Sequence, residues 1–244
     1  MINLSVNVNK VATLRNSRGG NVPSVIYAVQ VCVHAGAPGI TVHPRSDHRH
    51  ITTADVREIA AELQRGGHRV EFNMEGDPRR EFLDLVAEIR PTQCTLVPVK
   101  PGEITSQEGW PVDTSKATLR LVVENLRKLG VRVSLFVDAV PDAVRWAADV
   151  GGDRVELYTE PFACECQAGR DRGEASFKTF AQTAELAHAL GLGVNAGHDL
   201  DLHNLPLFKK LPHLEEVSIG HALVSDAVFV GLDKAVREYL NALR

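Results

Sequence analysis

The stretch TVHPRSDHRH, residues 41–50, carries three histidines, two arginines and an aspartate directly behind the apolar PGITV. Residues of these types can hold a metal, grip an anion while moving protons, or form a solvated charged turn. The groups around them recur in a pattern. Asn7, Asn9 and Lys10 follow one short apolar run, and Glu75 ends another. Lys100 and Thr105, then Asp138, then Glu156 follow in turn. Asn195, His198 and Asp199 come next, and Gly220 with His221 comes last. Histidines 43, 198 and 221 with Glu75 suit acid–base work near neutral pH. Arg18, Arg45, Arg49 and Lys100 suit phosphate binding.

What must position these groups is an alternation along the chain. Short β-branched runs at 2–7, 39–43, 69–75, 93–98, 132–138, 154–159, 193–197 and 216–220 read as strands. Amphipathic stretches lie between them. VPSVIYAVQVCVHAG ends on Gly36, and TTADVREIAAELQRGG offers Thr52 or Thr53 as N-cap and Gly66 as stop. DPRREFLDLVAEIRP carries a proline in its first turn. Further helical patterns run from 113 to 130, 140 to 152, 173 to 193 and 232 to 244. Roughly 30 residues per repeat is the size of a βαβ step. Eight such repeats predict an α/β fold, a (β/α)8 TIM barrel, over a single domain spanning 1–244. An open doubly wound sheet lacks its G-x-G-x-x-G here.

In such a barrel the site lies where strands end and βα loops begin. All the groups named above fall there. Asn73, Glu75, Glu156 and Asn195 are polar inside strands that should pack apolar layers. A buried carboxylate needs partners or a raised pKa, so these exceptions point to the site. The run SIGHALVSDAVFVG places Gly220 just before a helix, whose free N–H groups would suit a phosphate. Lys10 and Lys100 are expected in loops, which leaves no Schiff-base lysine at an apolar strand end.

Bulk properties narrow the partners. The formal net charge is −4 with no long basic block, which argues against nucleic acid. The first residues hold no signal-like apolar run, and no stretch approaches a membrane span, so a cytoplasmic location is expected. Four cysteines do not make a disulfide scaffold in a chain of 244 residues. Cys164 and Cys166 flank Glu165 at a spacing that does not match zinc sites. The Gly and charge content of CECQAGRDRGE, 164–174, suits a mobile lid.

The segments SVNVNKVATLRNSRGG, GITVHPRSDHRHIT, EFNMEG, TLVPVKPGEITSQEGW, VSLFVDA, VELYTEPFA, GVNAGHDL and SIGHALVSDAVFVGL occur in that order. Together they resemble the motifs of the pyridoxine 5′-phosphate synthase family over nearly the whole chain. The resemblance implies a TIM barrel with extra helices, assembled as a homo-octamer. It also implies a transferase-type condensation in vitamin B6 biosynthesis. In that reaction 3-amino-2-oxopropyl phosphate and 1-deoxy-D-xylulose 5-phosphate give pyridoxine 5′-phosphate, phosphate and water. No metal or organic cofactor is implied. By motif, His43 and Glu75 match the family's proton acceptors and His198 its proton donor. Arg45, His50 and Thr105 match contacts to the deoxyxylulose phosphate. Asn7, Arg18, Asp199, Gly220 and His221 match contacts to the amino ketone phosphate, and Glu156 matches a further active-site carboxylate. The chain departs from some members where Asp-His contacts the deoxyxylulose phosphate; Asn9 and Lys10 stand there, keeping an acceptor and a cationic donor. Asp47, His48 and Arg49 are expected to be structural or solvent-facing.

Two other readings compete. A metal-dependent barrel hydrolase or isomerase would draw ligands from His43, Asp47, His48, His50, Glu75 and His198, although Arg45 and Arg49 would repel a cation. A non-catalytic phosphate-ligand barrel would need the anion sites but not Glu75 with two histidines.

Overall fold

The computed structural model describes residues 2–66, 70–100 and 106–244. Eight parallel strands pair in chain order: β1 (Asn3–Asn7), β2 (Gly39–Val42), β3 (Glu71–Gly76), β4 (Gln93–Leu96), β5 (Arg132–Val137), β6 (Arg154–Tyr158), β7 (Gly193–Gly197) and β8 (Leu214–Ile219). β8 returns to β1, with Leu4 opposite Val217, and closes the barrel. The eight-strand alternation in the sequence is thus a (β/α)8 barrel, with strand ends displaced by at most about two residues, the usual play at element termini.

The helices are α1 (Asn9–Asn16), α2 (Val25–His34), α3 (Thr53–Arg65), α4 (Arg80–Ile89), α5 (Lys116–Lys128), α6 (Pro141–Val150), α7 (Glu160–Ala168), α8 (Arg170–Ala189), α9 (Leu205–Phe208), α10 (His221–Val230) and α11 (Leu232–Ala242). Local chemistry sets several ends. Thr52 caps α3 in a capping box with Asp55. Gly36 takes a φ of 103° just past α2, a conformation an L side chain resists. Pro78 precedes α4 rather than sitting in its first turn, because the helix starts at Arg80.

Two readings are corrected here. Lys10 is not in a loop but in the first turn of α1, whose polar sequence buries only Val11 and Ala12 and so shows little periodicity. The segment 164–174 is helical, split between α7 and α8 at Gly169, not an irregular lid. Close approach fixes that hairpin, since a Cβ on Gly173 would strike Cys166 Sγ at 2.8 Å.

The core is divided by the strand period. Outward-facing Leu4, Val6, Ile40, Val42, Met74, Leu96, Val133, Leu135, Val155, Leu157, Val194 and Val217 pack against the helices. Each such side chain contributes about 1.5–3 kcal/mol on full burial. The inward faces are polar instead. Ser5 Oγ and Thr41 Oγ1 lie 2.6 Å apart; Asn73 donates to Thr41 at 3.3 Å and accepts from Thr95 at 3.1 Å. On the floor, Glu216 Oε1 accepts from Gln93 and Asn195, both at 3.3 Å. Arg132 and Arg154 donate to Gln93 and Asn195 at 3.0 and 3.1 Å and reach Glu71 and Glu215 at the rim.

Burial raises the Glu216 carboxyl to about 7, and repulsion from Glu71 adds to the shift, while Arg154 and Arg132 oppose it. A pKa raised by folding favours the native state fully below the unfolded-chain value near 4.3, and the advantage is lost as pH climbs through about 7. Glu216→Gln keeps the acceptor for Gln93 and Asn195 without the charge. Urea unfolding should therefore find the variant close to wild type near pH 4. Above pH 7 it should be more stable, by on the order of 3 kcal/mol. Equal stability at pH 8.5 would show that the floor tolerates the charge.

Candidate active site

The C-terminal mouth of the barrel opens into a cavity of about 350 Å³. Its lining comes from the ends of most strands, as a shared mouth requires. Asn7, Asn9, Lys10, His43, Arg45, His50, Glu75, Glu156, His198, Asp199, Gly220 and His221 all border it. Arg18 does not; it is exposed beyond the end of α1. Thr105 lies outside the described residues.

At the centre, His43 Nδ1 stands 3.9 Å from Glu75 Oε2. The carboxylate is held by Asn7 Nδ2 at 3.5 Å and Ser218 Oγ at 3.4 Å. Burial pushes Glu75 up to about 8, the Ser218 hydrogen bond opposing. Burial lowers His43 well below its ordinary value, with His50, Arg45, Arg79 and His198 adding repulsion. Burial thus shifts the two groups in opposite directions across 3.9 Å, the carboxyl toward its protonated form and the imidazole toward its neutral one. His43 Nε2 is buried without a hydrogen-bond partner among the described residues.

Glu156 lines the same cavity, and burial raises its carboxyl well above the usual carboxylate range, with repulsion from Glu75 and Glu216 adding to the shift. Gly197 makes the room for it: a Cβ there would collide with Glu156 Oε1. A Cβ on Gly220 would likewise press on the Asn7 side chain at 3.0 Å.

His50 is neutral as well, lowered to about 4 by burial and then by Arg45. Its Nδ1 accepts from the Ile51 N–H at 2.9 Å, so Nε2 carries the proton and is a donor. Behind it, Arg15 pairs with Asp55, and Asn16 donates to the His50 carbonyl at 2.8 Å. Asn9 holds the neighbouring strand end, accepting from the His43 N–H at 3.0 Å. His198 is lowered by burial, partly offset by Asp199 and Glu160. Its ring lies 5.4 Å from Phe136 and 5.3 Å from Tyr158, part of a small apolar cluster with Val97 inside the mouth.

Cations stand at the rim. Arg45 lies buried 3.8 Å from Asp47, and Arg49 both pairs with Asp47 and lines the cavity, so it is not merely solvent-facing. Asp47 and His48 are exposed. Lys100 pairs with Glu108 away from the cavity, and Asp138 accepts from the Gly109 N–H at 3.0 Å, which anchors a loop. On the other side α10 starts at Gly220, with no side chain capping it. Its first N–H groups face the cavity edge where Gly220, His221 and Ala222 lie.

Sequence reasoning missed Ser218, Ser106 and Thr13 in the lining and Arg79 behind it. Ser218 follows Glu216 at the inward-facing period of β8 and could have been found from that period. Arg79 donates to the Pro44 carbonyl at 2.6 Å, a contact 35 residues away in sequence that no local pattern signals. The metal reading falls away: no three His, Cys, Asp or Glu side chains among the described residues are grouped to hold an ion.

Fold and site together are those of a (β/α)8 barrel whose mouth gathers histidines, carboxylates and cationic side chains. The sequence profile of the family described as "Pyridoxal phosphate biosynthesis protein PdxJ" matches residues 4–244, and the chain belongs to that family. Pyridoxine 5′-phosphate synthase of Bacteroides thetaiotaomicron is 50% identical, and that of Christiangramia forsetii 48%, each over the full length of both chains. Among solved structures, 3-hexulose-6-phosphate synthase from Salmonella typhimurium superposes with a TM-score of 0.67 at 13% identity, covering 99% of this chain and 98% of that one. Phosphoribosyl anthranilate isomerase from Thermotoga maritima gives 0.61 at 13% identity, covering 100% and 98%. Both share the barrel fold.

Gly197→Ala tests the crowding around Glu156. The variant should fold, with its melting temperature within a few degrees of wild type, and lose turnover by about 10–100-fold, the scale of an ångström-sized misplacement. Unchanged turnover would mean that the Glu156 position is unimportant.

Proposed function

We propose that this chain is a pyridoxine 5′-phosphate synthase, a single-domain catalyst of vitamin B6 biosynthesis. It condenses 3-amino-2-oxopropyl phosphate with 1-deoxy-D-xylulose 5-phosphate, giving pyridoxine 5′-phosphate, phosphate and water. The observation that carries the reading is the His43–Glu75 pair, an imidazole lowered and a carboxyl raised by burial, set between two anion-binding rims. The full-length relatives of the same name support it.

The chemistry needs an amine to attack a ketone, several proton transfers, loss of water and ring closure. No step needs a redox centre. Arg45 with the His50 Nε2–H, joined by Lys10 and Arg49, grips the phosphate of the deoxyxylulose substrate. The α10 N-terminus at Gly220–His221, with Asn7 and Asp199, takes the amino ketone phosphate. Asn9 keeps its place by bonding the His43 backbone, so in this chain it acts through strand geometry. Arg18 lies outside the cavity lining and Thr105 outside the described residues, so their part in phosphate binding rests on the family resemblance alone.

Glu75, raised by burial, can give a proton as well as accept one, while His43, lowered by burial, is available as a base. They exchange one proton during imine formation and closure. His198, packed on Phe136 and Tyr158, protonates the departing oxygen. Glu156, raised by burial in the same cavity, donates a hydrogen bond to developing charge. Each proton-transfer group contributes about 10²–10⁴-fold, and holding the two substrates together contributes more.

The test is a product assay on chelator-treated protein with both substrates, following pyridoxine 5′-phosphate by mass and absorbance and phosphate as the second readout. Turnover is expected, and Glu75→Gln should lower it by about 10²–10⁴-fold with the fold intact. No product, or product formed at the wild-type rate by the variant, would overturn the reading.

The resemblance to the family further supports a homo-oligomer, an octamer, in the cytoplasm. No helix among the described residues is long and apolar enough to cross a membrane. Phe229 is 88% exposed and Val228 72%, both at the C-terminal end of α10, and Val22, Tyr27 and Leu14 are exposed on and around α1 and α2. Apolar side chains of this size left in solvent suit a subunit interface. Light scattering should find an assembly of defined size, and Phe229→Glu should shift it toward smaller species. A wild-type monomer would exclude the octamer.

A further inference from the structure

His198 and Asp199 both adopt positive φ, 83° and 57°, at the end of β7. Neither is glycine, so each Cβ crowds its own backbone, and the conformation persists only if neighbours hold it. The grip comes from the residue just past β6. The Thr159 hydroxyl donates to the Gly197 carbonyl at 2.6 Å and to the His198 carbonyl, a three-centre bond across both peptide oxygens. The Thr159 N–H also donates to the Gly197 carbonyl at 3.0 Å. Beyond them, Asn204 Nδ2 donates to the Asp199 carbonyl at 2.9 Å, and Asp201 in turn bonds Asn204.

Thr159 stands at the N-cap of α7, where a threonine ordinarily turns its hydroxyl onto the helix. Here no side chain caps α7, and Pro161 at its second position has no N–H to offer. The hydroxyl is fully buried and directed at β7 instead. The residue before it, Tyr158, lies edge-on to the His198 ring at 5.3 Å. Two successive residues, the last of β6 and the one after it, thus hold the ring and the backbone of the same histidine.

We propose that Thr159 is a positioning residue for the condensation: its hydroxyl locks the left-handed turn at Gly197–His198 and so fixes where the His198 imidazole points. The proposal rests on the reading of His198 as a proton donor in this reaction. Removing the hydroxyl takes the donor from the His198 carbonyl and leaves the Gly197 carbonyl only the Thr159 N–H, so the turn relaxes and the ring leaves its place between Phe136 and Tyr158. Asp199 keeps its own hold through Asn204, and the Arg45–His50 rim lies on another strand end, so the effect falls on turnover.

Thr159→Val replaces the hydroxyl with a methyl of similar size. It should fold, keep both KM values within about threefold and lose about 10–100-fold in kcat. The ring Cε1–H resonance of His198, read by NMR, should move away from its ring-current-shifted position. Thr159→Ser, which keeps the hydroxyl, should restore most of the rate and the resonance. Wild-type kcat in T159V with an unmoved His198 signal overturns the proposal. So does T159S failing as badly as T159V, since the methyl would then be what matters. Should T159V not fold, T159A carries the same comparison against T159S. His198→Ala separates the two readings. If it turns over like wild type, the proton-donor role is wrong, whereas an inactive H198A beside a normal T159V refutes only the positioning. The NMR signal decides the positioning even if no product forms.

Discussion

The barrel encloses carboxylates where such barrels usually pack methyl groups, and each must be neutral or matched. Glu216, Glu156 and Glu75 are all buried, on β8, β6 and β3. The amides and hydroxyls around them follow from that demand. Gln93 and Asn195 serve Glu216, while Ser218 and Asn7 serve Glu75. Arginine heads stay at the open floor, where Arg132 and Arg154 reach partly exposed Glu71 and Glu215 while their guanidinium N–H groups support Gln93 and Asn195. Stability therefore comes from the apolar layer between sheet and helices, and the lumen is free to specialise in holding protons.

This division sets the electrostatics of the mouth. Proton-handling groups occupy the dry centre, where burial shifts His43, His50 and His198 toward the uncharged form and Glu75 and Glu156 toward the protonated one. Permanent charge stays at the rim, on Arg45, Arg49 and Lys10. A substrate with a phosphate at one end and a reacting carbonyl at the other meets the two environments in the right order. The rim charge also reinforces the centre, since Arg45 and Arg79 help to keep His43 a free base.

Supports one step back from the cavity make this arrangement rigid. Asn9 pins the end of β2, Arg15 with Asp55 and Asn16 pins the His50 loop, and Thr159 with Asn204 pins the turn after β7. Barrels of the same shape at 13% identity share the scaffold. What distinguishes this chain is the choice of side chains at the strand ends.

The strand–helix alternation was legible in the chain because periods of two and 3.6 follow from local geometry, and eight such units close into one barrel. Glu75, Glu156 and Asn195 announced themselves as polar residues inside apolar runs. Lys10 escaped because α1 buries so little that its period is faint, and α7 escaped because Pro161 and CEC obscure it. Arg79 at Pro44, the Thr159 grip on His198 and the room at Gly197 for Glu156 join residues 35 or more positions apart, so no local pattern encodes them. Protonation is likewise a tertiary property. The sequence by itself determined which groups could carry protons and on which strand each would stand. Only the closed barrel decided that Glu75 is pushed up and His43 down, because desolvation depends on everything packed around a group rather than on its neighbours in the chain.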